Sequence, residues 1–218
     1  MKVIITGATG LVGEGVLLVA LQDPRVTAVL SISRKPAGLV HEKLDELIIG
    51  DFSEIGRYGS RLQAYDACFF CAGASAVGEN EESFTRKTYG LAVPFAEALS
   101  AIRPEMVFIY VSGNRTDSSE AGKVMWARVK GRTENALLKL PFRAVYAFRP
   151  GFMKPVKGQK NVRVIYRVFE ALYPLWLRVL PGWACTMREV GMAMLNCVEK
   201  GYAKPVLEVG DIRERAKS

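Results

Sequence analysis

The residues whose types and spacing point most directly to chemistry are Thr6-Gly7-Ala8-Thr9-Gly10-Leu11-Val12-Gly13. They follow an apolar run, Lys2–Thr6, and open a helix-like run from Val12. In that setting Gly7 permits a tight turn, Gly10 lets a diphosphate approach the backbone, and Gly13 allows close helix–strand packing. The helix start, at Thr9, Leu11 and Val12, would offer free N–H groups and a partial positive charge to phosphate oxygens. A glycine triplet alone is weak, and the strand before it and the helix after it are what strengthen it. The competing reading is a merely structural turn. Two cations, Arg34 and Lys35, close the next apolar run, Ala28–Ser33. An acid there would bind a ribose 2′-hydroxyl and repel a 2′-phosphate, so the cations favour NADP(H) as cofactor. A solvated basic loop is the alternative. Beyond the third run, Asp51 and Phe52 offer an acceptor for an adenine amino group and a flat ring for its face.

Other chemistries are poorly supplied. The lone histidine, His41, excludes sites with two His ligands and counts against His-centred triads, so no metal is expected. Cys68 and Cys71 have redox-type C-x-x-C spacing. They lie inside the apolar run Ala67–Ala72, where positions i and i+3 of a strand point to opposite faces, so they read as small buried residues in a reducing compartment. Met1–Thr6 is too short an apolar core for a signal peptide. The stretch Val162–Leu180 contains Arg163, Arg167, Glu170, Pro174 and Arg178, which makes a poor membrane span. A cytoplasmic location follows as the expectation.

These residues must be held by a regular frame. The chain has 218 residues, half of them hydrophobic and 24% charged, which suits one globular domain. Strand-like runs are Lys2–Thr6, Ala28–Ser33, Leu44–Ile49, Ala67–Cys71, Met106–Val111, Ala144–Phe148 and Pro205–Val209. Helical patterns lie near Val12–Leu21, Ser53–Leu62, Glu82–Ile102, Ala121–Leu140 and Arg188–Lys200. This alternation predicts an α/β fold, a doubly wound and mostly parallel Rossmann sheet of about seven strands. Residues 1–151 would form the dinucleotide-binding core of the single domain, and 152–218 a substrate or lid region with the last strand.

The Gly7/Gly10/Gly13 spacing resembles the extended or atypical branch of the short-chain dehydrogenase/reductase superfamily. Cys71-Ala72-Gly73 is similar to the family's Asn-Ala-Gly element after the fourth strand. Ser112 looks like the family serine at the end of the fifth strand, and Arg149-Pro150-Gly151 resembles its Pro-Gly turn. The stretch from Trp126 to Glu134 looks closest to small epimerase-like and Tat-interacting-protein-like oxidoreductases. The resemblance implies a cofactor site that includes Cys71, Ala72, Gly73, Lys130, Pro150 and Gly151. It also implies a catalytic Ser with Tyr-x-x-x-Lys. Lys binds the nicotinamide ribose and lowers the Tyr pKa, Tyr moves the proton, and Ser holds the substrate oxygen. Ser112 and Lys130 match by position. Position 126 is Trp, whose indole N–H donates a hydrogen bond but does not exchange protons near neutral pH. Three readings follow: a reductase whose proton comes from Lys130, Tyr89 or water; a non-catalytic NADP(H) sensor or scaffold; or a site where Trp126 stacks on substrate.

Charge is uneven. Residues 1–140 carry 16 basic and 16 acidic side chains, whereas residues 141–218 carry 14 and 6. Within 154–178 the cations alternate with Tyr166, Phe169, Tyr173 and Trp176. The family places a substrate pocket after the sixth strand, so a small-molecule pocket with a basic rim is the leading expectation. A homodimer interface or a membrane-surface contact through 161–180 is the alternative, and nucleic acid is the least favoured partner.

Overall fold

Alternating burial explains why the strands form a middle layer. In β1 (Lys2–Thr6), Val3 and Ile5 join one apolar cluster and Ile4 the other. The same alternation holds in β2 (Ala28–Ser33), β4 (Ala67–Phe70) and β5 (Val107–Val111). There Val29, Phe69 and Ile109 face one side, and Leu30, Phe70 and Phe108 face the other. A strand apolar on both faces needs cover on both faces, which a parallel sheet with crossover helices supplies. The structure is a computed structural model and describes residues 1–162 and 182–217.

With β3 (Leu44–Ile48), β6 (Ala144–Arg149) and β9 (Val206–Glu208), the strands form one sheet in the order β3-β2-β1-β4-β5-β6-β9. Every neighbouring pair is parallel. One apolar cluster is covered by α1 (Leu11–Gln22), α5 (Met187–Lys200) and α6 (Val209–Arg215). The other is covered by a 3-10 helix (Phe52–Tyr58), α2 (Gly59–Leu62), α3 (Glu81–Ile102) and α4 (Met125–Leu137). This is the seven-stranded, doubly wound Rossmann arrangement. Chain order reverses between β1 and β4, and a crevice opens at their carboxyl ends.

Four local expectations need correction. The helix expected over Ser53–Leu62 is mostly a 3-10 turn, started by Asp51, whose carboxylate accepts the Ser53 N–H at 2.9 Å. The helix expected from Ala121 starts at Met125, because Asp117 ties the preceding loop by accepting the N–H groups of Ser119 (3.0 Å) and Gly122 (2.7 Å). A second, two-stranded parallel sheet of β7 (Phe152–Lys154) and β8 (Ala184–Thr186) was not expected, since three-residue strands carry little periodicity. The last strand stops at Glu208, where a reciprocal cap between Glu208 and Asp211 starts α6. Most of the 161–180 stretch expected as pocket, dimer face or membrane contact lies outside the described residues. Among the described residues no helix is long and apolar enough to cross a membrane.

Candidate functional site

The glycine loop is built by close backbone contacts. The Thr6 hydroxyl at the end of β1 accepts the backbone N–H groups of Cys71 and Ala72, both at 3.1 Å. That ties the loop to the end of β4 across the crevice. Gly7 has φ 71°, and a Cβ there would lie 2.8 Å from the Ala72 nitrogen. A Cβ on Gly13 would fall on the Gly7 carbonyl. A Cβ on Gly10 would meet only the Gly7 oxygen, at 3.4 Å, so the space beyond it is open. Helix α1 starts there without a side-chain cap, and its first N–H groups point toward the crevice end of the sheet. Gln159 donates to the Leu11 carbonyl at 2.6 Å, and Glu14 accepts the N–H groups of Lys160 and Asn161, each at 2.7 Å. Loop 156–161 is thereby fastened beside the α1 N-terminus. An uncapped helix start, two glycines that admit no side chain and open space over the third fit a dinucleotide diphosphate.

A cavity of about 260 Å³ continues from this loop. Gly10, Leu11 and Val12 line one wall, Cys71, Ala72 and Gly73 another, and Ser112, Lys130 and Pro150 the far side. A larger cleft of about 680 Å³ shares Gly10 and Leu11 and is lined by Thr9, Ser75 and Lys160. So most of the residues expected at the diphosphate and nicotinamide ends are brought together, although they come from the ends of β1, β4, β5 and β6 and from helices α1 and α4.

At the far side the side chains are arranged in an unexpected way. The Ser112 hydroxyl is buried and donates to the Glu134 carboxylate, and it also approaches the Phe148 carbonyl at 3.1 Å. Glu134 in turn receives Arg149, whose Nε lies 3.0 Å from Oε1 and whose Nη1 reaches Glu208 at 3.0 Å. Burial pulls the Arg149 pKa down, and the two carboxylates more than reverse that. The expected role for Ser112, holding a substrate oxygen, meets a hydroxyl already committed to Glu134. Lys130 donates to the Ser112 backbone carbonyl. Burial lowers its pKa from 10.5 to about 8, against the opposing charge of Glu134. Trp126 sits one turn earlier on α4, half-buried, and is not among the residues that line the cavity. Tyr89 does not line it either, and its ring lies under the Arg132 guanidinium at 4.9 Å.

At the opposite end, Arg34 and Lys35 are exposed at the carboxyl end of β2, and neither side chain has an acidic partner among the described residues. Asp51 is exposed, and its bond from the Ser53 N–H holds its pKa below the usual carboxylate value. Phe52 does not offer its face to an adenine. Its ring is buried in the core, 5.5 Å from Phe95 and 6.5 Å from Phe70, because position 52 opens the 3-10 helix and turns inward. Gly151 also departs from expectation. A Cβ there would strike the Trp183 carbonyl, so this glycine serves the β7–β8 contact, and Pro150 alone reaches the cavity. Cys71 lines the cavity as an inert thiol, pushed up to about 12 by burial, while Cys68 packs on the other face of the sheet.

Sequence reasoning missed the Glu134–Arg149 pair beneath Ser112, and it missed that Thr88 lines the cavity. Glu134 lies one helical turn after Lys130, and Arg149 ends an otherwise apolar strand, so both carried a signal. Thr88 carried none.

A family model for the NAD dependent epimerase/dehydratase family matches residues 3–143. The mitochondrial protein FMP52 of Debaryomyces hansenii is 28% identical over 174 residues, 78% of this chain and 74% of the relative. The solved structure of MoeE5 in complex with UDP-glucose and NAD superimposes with a TM-score of 0.66 and 16% identity, covering 100% of this chain and 81% of the other. Uronate dehydrogenase from Agrobacterium tumefaciens gives a TM-score of 0.66 at 14% identity, over 94% of this chain and 75% of the other. At those identities the two structures speak for the fold alone.

Proposed function

Since the chain belongs to the NAD-dependent epimerase/dehydratase family, we propose that it binds NADP(H) across the β1–β4 crevice and oxidises or reduces a small alcohol or carbonyl compound. The dinucleotide, when bound, supplies hydride chemistry. The chain supplies the rest. The N–H groups at the start of α1 bind the diphosphate, and Arg34 and Lys35 pair with the 2′-phosphate. Lys130 holds the proton at Nζ that a carbonyl oxygen takes up. The observation that carries this reading is the cavity itself, which runs from the glycine loop on one wall to Lys130 on the far side, with no carboxylate among the described residues that line it. Trp126 can steady a neighbouring group but cannot exchange a proton, and Lys130 is the titratable cation in reach. MoeE5 was solved with NAD; the case for NADP(H) here rests on the two cations at the end of β2, which have no acidic partner among the described residues. The four unpaired cysteines support a reducing, cytoplasm-like compartment, although FMP52 is named a mitochondrial protein.

Fluorescence titration tests the cofactor reading. The wild type should bind NADPH more tightly than NADH. Replacing both cations with Ala should weaken NADPH by roughly 10- to 100-fold, the range for losing charge-assisted hydrogen bonds, and leave NADH unchanged. An NADH preference in the wild type would overturn the assignment.

A second reading is favoured by two specific observations, the Trp at position 126 and the Ser112 hydroxyl turned to Glu134. In it the chain binds NADP(H) without turnover and reports its level to a partner. NADPH consumption across a carbonyl panel separates the two. Turnover by the wild type or by Trp126→Tyr supports the enzyme, and tight NADPH binding with no turnover by either supports the sensor.

A further inference from the structure

Thr88 lies on α3 and lines the same cavity as the start of α1 and Lys130. It is only 4% exposed, and its hydroxyl has no hydrogen-bond partner among the described residues. A buried hydroxyl without a partner opposes folding, and native structures keep few of them. A threonine in a helix can escape this by bonding back to the carbonyl four residues earlier, here Phe84, but Thr88 does not do so. Helix packing gives no reason for a polar atom here, because the neighbouring buried residues of α3 are Phe84, Ala92, Val93 and Phe95. Of the other polar groups along the cavity, the Ser112 hydroxyl is committed to Glu134 and the Tyr110 hydroxyl is a second one on the lining, while the N–H groups at the start of α1 and the Lys130 ammonium can only donate. Such a lining matches a ligand that presents an acceptor.

We propose that Thr88 is a ligand-contacting residue, its hydroxyl donating to a carbonyl oxygen of the molecule seated beside Lys130. This rests on the NADP(H) reading above. Two sources carry that chemistry in such a site, the carboxamide of the nicotinamide and the carbonyl of the substrate. Thr88 then contributes to positioning, and the hydroxyl is retained for binding at the expense of the empty protein.

Thr88→Val keeps the branched shape and removes the hydroxyl; Thr88→Ser keeps the hydroxyl. Three readouts apply to both variants and the wild type: the melting temperature without ligand, the Kd for NADPH and for 2′,5′-ADP, which lacks the nicotinamide, and kcat and KM over the carbonyl panel. Thr88→Val should melt at or above the wild-type temperature. It should lose about tenfold in one binding readout, and Thr88→Ser should lose less. A loss for NADPH but not for 2′,5′-ADP assigns the carboxamide. A higher KM with unchanged NADPH affinity assigns the substrate. Thr88→Val that binds and turns over like the wild type overturns the proposal. So does a variant that melts several degrees lower, since the hydroxyl would then have a partner inside the protein. A wild type that binds no dinucleotide overturns the NADP(H) reading and this proposal together, whereas normal wild-type binding with an indifferent Thr88→Val overturns Thr88 alone.

Discussion

Glu134→Ala should lower the melting temperature by roughly 10 °C, the largest stability loss expected from any single change near the cavity. Glu134 is 1% exposed and Arg149 8% exposed, so the pair is out of water. Glu134 accepts Arg149 through both carboxylate oxygens, and the Ser112 hydroxyl as well. Removing it leaves the Arg149 Nε and the Ser112 hydroxyl without their carboxylate, and Glu208, itself partly exposed, cannot reach both. Breaking one partner of a buried pair costs about 3–5 kcal/mol. In a domain of this size each kcal/mol moves the midpoint by roughly 2–4 °C. The pair need not be a net gain over an apolar core, since burying both charges is itself expensive. Glu134→Leu combined with Arg149→Met should therefore melt well above either single variant. Thermal denaturation of the wild type, Glu134→Ala, the two single variants Glu134→Leu and Arg149→Met, and the double variant checks this. A Glu134→Ala midpoint within about 2 °C of wild type would show that water or Glu208 satisfies Arg149.

What could be read from the sequence, and what could not, divides by the range of the contact. The needs of Gly7 and Gly13 are set by atoms within a few residues and by the end of β4, so glycine spacing announces them. The inner strands β1, β2, β4 and β5 show in their apolar runs because both of their faces are covered, whereas the edge strand β3 carries Asp45 and Glu46. Lys130 is reached only through the family resemblance, as the residue at the lysine position of Tyr-x-x-x-Lys. Phe52 is misread because the direction of its ring depends on whether the chain continues extended or turns after Asp51, and a one-residue change of conformation reverses it. The Glu134–Arg149 contact joins α4 to β6, 15 residues apart, and depends on the pairing of β5 with β6. No local pattern encodes that partner. Thr88 stands in Thr85-Arg86-Lys87-Thr88-Tyr89, a run that looks like a solvated helix face. Only the packing of α3 over the sheet shows which of those side chains turns inward.

Lys130→Met carries the largest expected loss of activity. As the proton carrier, Lys130 should contribute on the order of 10²- to 10⁴-fold to kcat/KM, the usual range for a positioned acid or base. The same variant should fold at least as well as the wild type at pH 7, because burial there opposes the ammonium and Met has no charge to desolvate. The pH dependence separates this role from a structural one. Burial brings the Lys130 pKa from 10.5 down to about 8, so carbonyl reduction, which needs the protonated amine, should fall as pH rises past about 8. Alcohol oxidation, which needs the neutral amine, should rise through the same point. Stability moves with it. Between about pH 8 and 10.5 the unfolded chain holds this proton more firmly than the folded one, so wild-type stability gains on Lys130→Met across that window. Below about pH 8 the ammonium is charged in both states and the burial penalty is fully present. Rate profiles in both directions, with melting curves of the two proteins from pH 7 to 10, give the answer. A reduction rate that stays flat from pH 7 to 9 would take the proton away from Lys130 and give it to water, while an equal stability difference at both ends of the range would mean that the lysine is hydrated rather than buried.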